Sequence, residues 1–306
     1  MKKQILLLIA AVLLSTASVF AQGGTTGPLA WKINNGTLTI SGNGAMPDYL
    51  RGSAPWYNYR ENIHALVVQT GVTHLGSCAF IDCEMLTSIF LSNTISTIGE
   101  RAFSVCSSLT SITIPNGVTT IANESFSYCH TLSSIYIPGS VISIGKMVFW
   151  SCECLTSIIV ESNNNDYISE NGILFNKSKT TLICYPAGKI GDYIVPSSIT
   201  VIGSHAFAHC KSLTSITIPD SVTEIELLTF YNCTSLSSVV FPKHLSRIGE
   251  QAFWLCSNLS SVAIPESVTQ MGPMAFCSCE KLTSIIIPNG ISTIETGVFA
   301  FCYNLT

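Results

Sequence analysis

The side chains in this sequence with the types and spacing to do chemistry are few. His205-Ala-Phe-Ala-His209, followed by Cys210, has the i,i+4 spacing with which a helix presents two imidazoles to zinc. No glutamate accompanies them as a general base, and Phe207 and Cys210 belong to a pattern that recurs along the chain, so the pair reads as structural. Cys152-x-Cys154 and Cys277-x-Cys279 are one residue short of the Cys-x-x-Cys spacing used by metal and redox sites. Gly42-Asn-Gly44 lacks the third glycine and following helix of a dinucleotide loop and reads as a turn. Glu100, Glu124, Glu224, Glu250 and Glu295 read as solvated acids on corners, not as a pair poised for acid–base catalysis. Asn163-Asn164-Asn165-Asp166 lacks the alternating ligands and turn glycine of a calcium loop. There is no Gly-x-Ser-x-Gly. The reading is a protein that is not an enzyme, with no catalytic, metal or cofactor-binding residue.

What the chain has instead is a period. Phe80, Phe103, Phe126 and Phe149 stand 23 residues apart, and Phe207, Phe230, Phe253, Phe276 and Phe299 continue the series after one interruption. Cysteine follows each by three residues, from Cys83 to Cys302, and leucine follows that by three more, from Leu86 to Leu305. A fixed period of this length with apolar residues locked to its phase marks a solenoid in which one repeat is one coil. Leu109-x-x-Ile112-x-Ile114 has strand spacing with alternate residues inward, and Pro115 and its equivalents end the strand. Val118 and Ile121 imply a second short strand, and Ala-Phe-x-x-Cys-x-x-Leu, with apolar spacing of three, predicts a helical turn on the far side. The expected fold is an α/β leucine-rich-repeat solenoid, a right-handed coil of short parallel strands and helical turns with a β-rich N-terminal cap.

Residues 1–21 have the charged start, apolar middle and small-residue end of a secretory signal peptide, so the mature chain is expected outside the cytoplasm, secreted or at the cell surface. No later stretch is long and apolar enough to span a bilayer as a helix. The whole chain has 14 basic and 18 acidic residues; without Lys2 and Lys3 the balance is 12 against 18, with no block of like charge, which argues against nucleic acid as a partner. Thirteen cysteines in an exported chain suggest disulfides, yet nine of them share one phase of the repeat. They are expected as buried free thiols in a column, leaving Cys78, Cys154, Cys184 and Cys277 as the ones open to oxidation.

Residues 22–28 read as a flexible leader, and Trp31 to Ile40 as a hairpin around Asn35-Gly36. The module 22–70 supplies Trp31, Tyr49, Trp56, Tyr57 and Tyr59 to cover the first coil, and the repeats run over 71–306. Cys152 and Cys210 are 58 residues apart, one repeat plus 35, which places a 35-residue hairpin insertion at 161–195 that is expected to project from the solenoid.

The coil pattern, matched closely at 196–216 and 265–285, resembles that of the BspA-like family of bacterial surface leucine-rich repeat proteins. The opening GTLTISGNGAMPDY…APWYNYR and the insertion NGILFNKSKTTLICYP resemble the module preceding that family's repeats and its longer variant repeat. The resemblance covers nearly all of residues 29–306. It implies a non-catalytic protein, secreted or displayed on a surface, that binds protein partners on host or bacterial surfaces, including adhesion to host matrix and cell–cell contact.

One column offers a surface for that role. The strand residue between the two inward apolar positions points outward and reads Phe90, Thr113, Tyr136, Ile159, Thr217, Val240, Ala263 and Ile286 along the coils, beside a serine column from Ser88 to Ser284. An apolar stripe flanked by adaptable hydroxyls suits a protein-binding sheet. The alternative is a carbohydrate-binding surface module with Trp150 and Trp254 as outward platforms.

Overall fold

The computed structural model of the chain describes residues 22–306; the expected signal peptide, residues 1–21, lies outside them. The described residues form a solenoid of parallel strands. Ser111–Thr113, Ser134–Ile137 and Ser157–Val160 pair in register with each residue opposite its equivalent 23 positions on, as in Ser111↔Ser134↔Ser157. A second column of two-residue strands, Thr97–Ile98, Thr120–Ile121 and Ser143–Ile144, pairs in the same register. In the first column Ile112 and Ile135 turn inward and are buried while Thr113 and Tyr136 face out, the period-2 alternation of β-branched sequence.

The predicted helical turn is not a helix. Between Gly99 and Cys106 the N–H groups of Ala102, Ser104 and Cys106 donate back three residues, to Gly99, Arg101 and Phe103, at 3.2, 3.1 and 3.3 Å. The alternate N–H groups, of Arg101, Phe103 and Val105, point along the solenoid to the carbonyls of Asn123, Ser125 and Ser127 in the next coil at 3.0, 2.8 and 2.8 Å. An α-helix needs every donor directed four residues back within its own segment. Here half of them tie one coil to the next, so the chain makes successive tight turns with left-handed backbone at Arg101 (φ 53°) and Val105 (φ 63°), repeated at Glu124 and Tyr128. Among the described residues the helical element is the 3-10 segment Tyr57–Asn62.

The core is a stack. Phe80, Phe103, Phe126 and Phe149 lie ring on ring with centroids 5.2, 5.5 and 6.3 Å apart, and Phe207, Phe230, Phe253 and Phe276 at 5.0–5.1 Å. Each buried aromatic contributes about 1.5–3 kcal/mol by leaving water. All thirteen cysteines are free thiols, and ladder members from Cys106 on donate to the carbonyl of the aromatic residue one coil earlier, as in Cys129 to Phe103 at 3.2 Å, Cys233 to Phe207 at 3.1 Å and Cys210 to Tyr185 at 3.7 Å. Of the four off the ladder, Cys154 is exposed, Cys78 and Cys184 are half-buried, and Cys277 is buried.

The N-terminal segment joins the stack earlier than the repeat phase suggests. Residues 22–26 are not a leader but a strand, Gln22–Thr26, antiparallel to Leu29–Asn34. Its glycines let it lie on Trp31, since a Cβ on Gly24 would sit 3.0 Å from the indole nitrogen. The expected hairpin turns at Asn35 and Gly36, both at positive φ, as the two-residue turn requires. Thr37–Gly42 then pairs in parallel with Ala65–Val68, and that strand with Ser88–Leu91, so the parallel ladder begins before Gly71.

The insertion does not project. Tyr167–Glu170 and Ile173–Asn176 form an antiparallel hairpin that feeds Thr181–Cys184 into the second strand column, beside Val201–Ile202, and Gly191–Ile194 into the first, beside Leu213–Thr217. Ile173, Leu174 and Phe175 are buried, and Tyr185 takes a phenylalanine's place, stacked on Phe207 at 5.0 Å. Apolar residues facing the core pull the segment in as an irregular coil. The core is nonetheless divided there into an N-terminal and a C-terminal cluster.

Candidate binding face on the strand side

The register brings the predicted outward residues into one column. Tyr136 lies between Thr113 and Ile159, and Thr217 beside Val240. Phe90 (61% exposed), Tyr136 (40%), Ile159 (47%), Val240 (53%) and Ile286 (77%) present their side chains to solvent; Thr113 and Ala263 are also exposed, and Thr217 is half-buried. Two members escape a reading based on the repeat alone: Val67, opposite Phe90, and the exposed Ile194, opposite Thr217. Ile194-Val-Pro196 has the phase of Thr217-Ile-Pro219, which is the signal that finds it.

The hydroxyls flanking this column divide into two kinds. Thr87, Ser133, Thr156, Ser237 and Thr283 donate to the backbone carbonyl one coil earlier at 3.1–3.4 Å and are engaged by the fold. The serines nearer the apolar stripe, Ser88, Ser111, Ser134, Ser157, Ser238, Ser261 and Ser284, make no side-chain hydrogen bond within the described residues and are exposed or half-buried. They are free to bond a ligand. Asp192 places one carboxylate in this serine column; hydrogen bonds from Thr214 and then Ser215 hold it below the usual range. Beside Phe90 a shallow open groove of about 510 Å3 is lined by Thr70, Asn93, Thr94, Thr113 and Pro115.

The other sequence candidates lie elsewhere and are engaged structurally. Glu124 pairs with Arg101 at 2.7 Å and Glu224 with Arg247 at 3.5 Å. Asn164, in the polar loop, is buried, and its amide donates to the carbonyls of Pro138 and Val141. His205 and His209 are not on a helix; both have left-handed backbone and sit at the seam made by the insertion. Trp150 spans that seam, edge-to-face with His205 and His209 at 5.6 and 4.6 Å and stacked on Tyr231 at 5.2 Å, above a cavity of about 50 Å3. Its indole and that of Trp254 are therefore half-covered, not free platforms. Burial pushes the His209 imidazole down to about 4; its Nδ1 faces the Asn232 amide at 3.1 Å and its buried Nε2 has no partner among the described residues. No three His, Cys, Asp or Glu side chains among the described residues converge as metal ligands. No helix among them is long and apolar enough to cross a membrane.

This coil, with its phenylalanine and cysteine columns, is that of a known repeat. The BspA type leucine rich repeat region matches residues 54–181 and 183–306 in six copies. The chain belongs to the BspA-type leucine-rich repeat family. A leucine-rich repeat protein from Eubacterium ventriosum is 28% identical with a TM-score of 0.65, over 90% of this chain and 93% of its own. A leucine rich cell surface protein from Faecalibacterium prausnitzii is 27% identical with a TM-score of 0.63, over 95% of each chain. The pneumococcal vaccine antigen PcpA, 18% identical over 93% of this chain and 86% of its own, shares the fold with a TM-score of 0.70. No curated protein matches the sequence.

Proposed function

We propose that this BspA-type chain is exported, resides at or beyond the cell surface, and binds protein partners through its outward strand face, in adhesion to host matrix or to other cells. The observation that carries this reading is the column of exposed Phe90, Tyr136, Ile159, Val240 and Ile286 held in register beside a row of unengaged serine hydroxyls. Large apolar side chains at the centre of a patch supply most of an interface's energy, and adaptable hydroxyls around them supply fit. The signal-peptide pattern of residues 1–21 and the cell-surface description of the Faecalibacterium relative support the location.

The test is a binding assay of residues 22–306 against immobilised matrix proteins and intact bacterial cells. Phe90→Ser with Tyr136→Ser is expected to fold as the parent does, both side chains being exposed, and to lose most of the attachment. Reversing Glu100 and Glu250 to lysine is expected to change little, since rim charges act mainly on encounter rate. Undiminished attachment by the Phe90/Tyr136 variant would remove the strand face from consideration.

A further inference from the structure

The turn side of the N-terminal half carries a second concavity, an open groove of about 450 Å3 that crosses successive coils from Leu50 to Glu124. Its floor is apolar, formed by Ile81 and Val105, and its far end is the exposed ring of Tyr128. The Trp150 indole N–H donates to the Tyr128 hydroxyl at 3.2 Å and orients that ring.

Two planar ion pairs stand along the groove. Arg101 binds Glu124 through Nε to Oε2 at 2.8 Å and Nη2 to Oε1 at 2.7 Å. Arg51, at the near end, is neutralised in the same two-bond manner at 2.8 Å each by Asp82, which is buried and also accepts from the Tyr57 hydroxyl at 2.7 Å. The Arg101–Glu124 pair leaves one guanidinium nitrogen and the outer carboxylate lone pairs side by side at the groove, a donor next to an acceptor. A vicinal diol matches that arrangement. With each arginine neutralised by its acid, and Glu100 the remaining carboxylate, the groove offers no net positive charge to an anion. A peptide finds no free backbone edge either, because the N–H groups of Cys78, Arg101 and Val105 are bonded to the next coil at 2.8–3.0 Å.

We propose that this groove binds a short neutral oligosaccharide, one sugar ring lying on Tyr128 and neighbouring hydroxyls paired with Arg101 and Glu124. The site goes beyond the strand-face reading and does not depend on it. A groove crossing several coils, each about 4.8 Å from the next, is long enough for an oligosaccharide and exceeds a single sugar.

The test uses residues 22–306 with maltohexaose, cellohexaose, chitohexaose and lacto-N-neotetraose as probes, by calorimetry and saturation-transfer NMR. At least one is expected to bind, with Tyr128→Ala and Arg101→Gln each weakening it roughly tenfold or more. In the unmodified protein the bound sugar is expected to slow iodoacetamide labelling of Cys78, which lines the groove, and to leave the exposed Cys154 unchanged. Phe90→Ser with Tyr136→Ser is expected to leave sugar binding intact, which separates this site from the strand face. Binding by none of the four probes, unprotected Cys78, or sugar binding lost with Phe90 and Tyr136 but not with Tyr128 overturns the proposal.

Discussion

Trp56 stacks on Phe80 with ring centroids 5.7 Å apart and planes 18° apart, and its indole N–H donates to the Ala79 carbonyl at 2.7 Å. It is thus the first ring of the aromatic column, fully buried and held by both packing and a hydrogen bond. Trp56→Ala is expected to destabilise the chain by about 3–5 kcal/mol and to loosen the first coils before the rest. Hydrogen exchange should show early loss of protection at Leu66 and Val68. A variant with unchanged urea midpoint would show that the column begins at Phe80.

The column also predicts a difference between two of its phenylalanines. Phe126 has stacked rings on both sides, at 5.5 and 6.3 Å, whereas Phe149 has Phe126 on one side and the seam cavity on the other. Phe126→Ala is expected to cost about 3–5 kcal/mol and Phe149→Ala measurably less, because less packing is lost where a void already exists. Equal losses in paired urea melts would show that the seam is as tightly filled as the regular coils.

Much of this was legible from the period. A residue at fixed phase has a fixed neighbour, so the phenylalanine stack, the thiol column and the outward stripe from Phe90 to Ile286 could be laid out by counting. Counting failed where the deciding contact was not periodic. Apolar spacing of three is shared by a helical turn and by successive tight turns; what separates them is that the Arg101 and Val105 N–H groups reach the next coil, which no local pattern records. Trp56 stands 24 residues before Phe80, one off the repeat, and so escaped the column. The meeting of Trp150 with His209 across the insertion depends on how the hairpin folds inward, and only the buried Ile173-Leu174-Phe175 run hints at that.

The thiols give an independent chemical readout. Burial pushes Cys83 and Cys129 up to about 12 and raises Cys106 and Cys152 well above the ordinary thiol value, so these carry almost no reactive thiolate at neutral pH. Cys302 differs: the neighbouring Cys279 thiol lowers it to about 7. Native protein at pH 7.4 is expected to label at exposed Cys154 and at Cys302 first, and all thirteen cysteines only after denaturation without reductant. Peptide mapping that finds Cys106 or Cys129 labelled as fast as Cys154 would contradict a closed column.

The seam makes stability depend on pH in a direction that can be worked out. His209 is buried at about 4 against an ordinary 6.5, chiefly through loss of hydration; Glu153 opposes the shift while Lys211 and His130 add to it. Below pH 6.5 the unfolded chain takes up a proton here that the folded chain refuses until pH approaches 4, so stability falls as pH drops through that window and levels off beneath it. The slope for one proton is at most about 1.4 kcal/mol per pH unit. His209→Asn removes the titrating group, and asparagine suits both the left-handed backbone (φ 62°) and the repeat, which has Asn232 at the same phase. Urea melts from pH 7 to 4.5 should therefore show the parent losing stability faster than the variant, with Trp150 fluorescence changing in the parent over the same range. Parallel curves would mean that water already reaches the imidazole and that the Trp150 roof over the seam is open in solution.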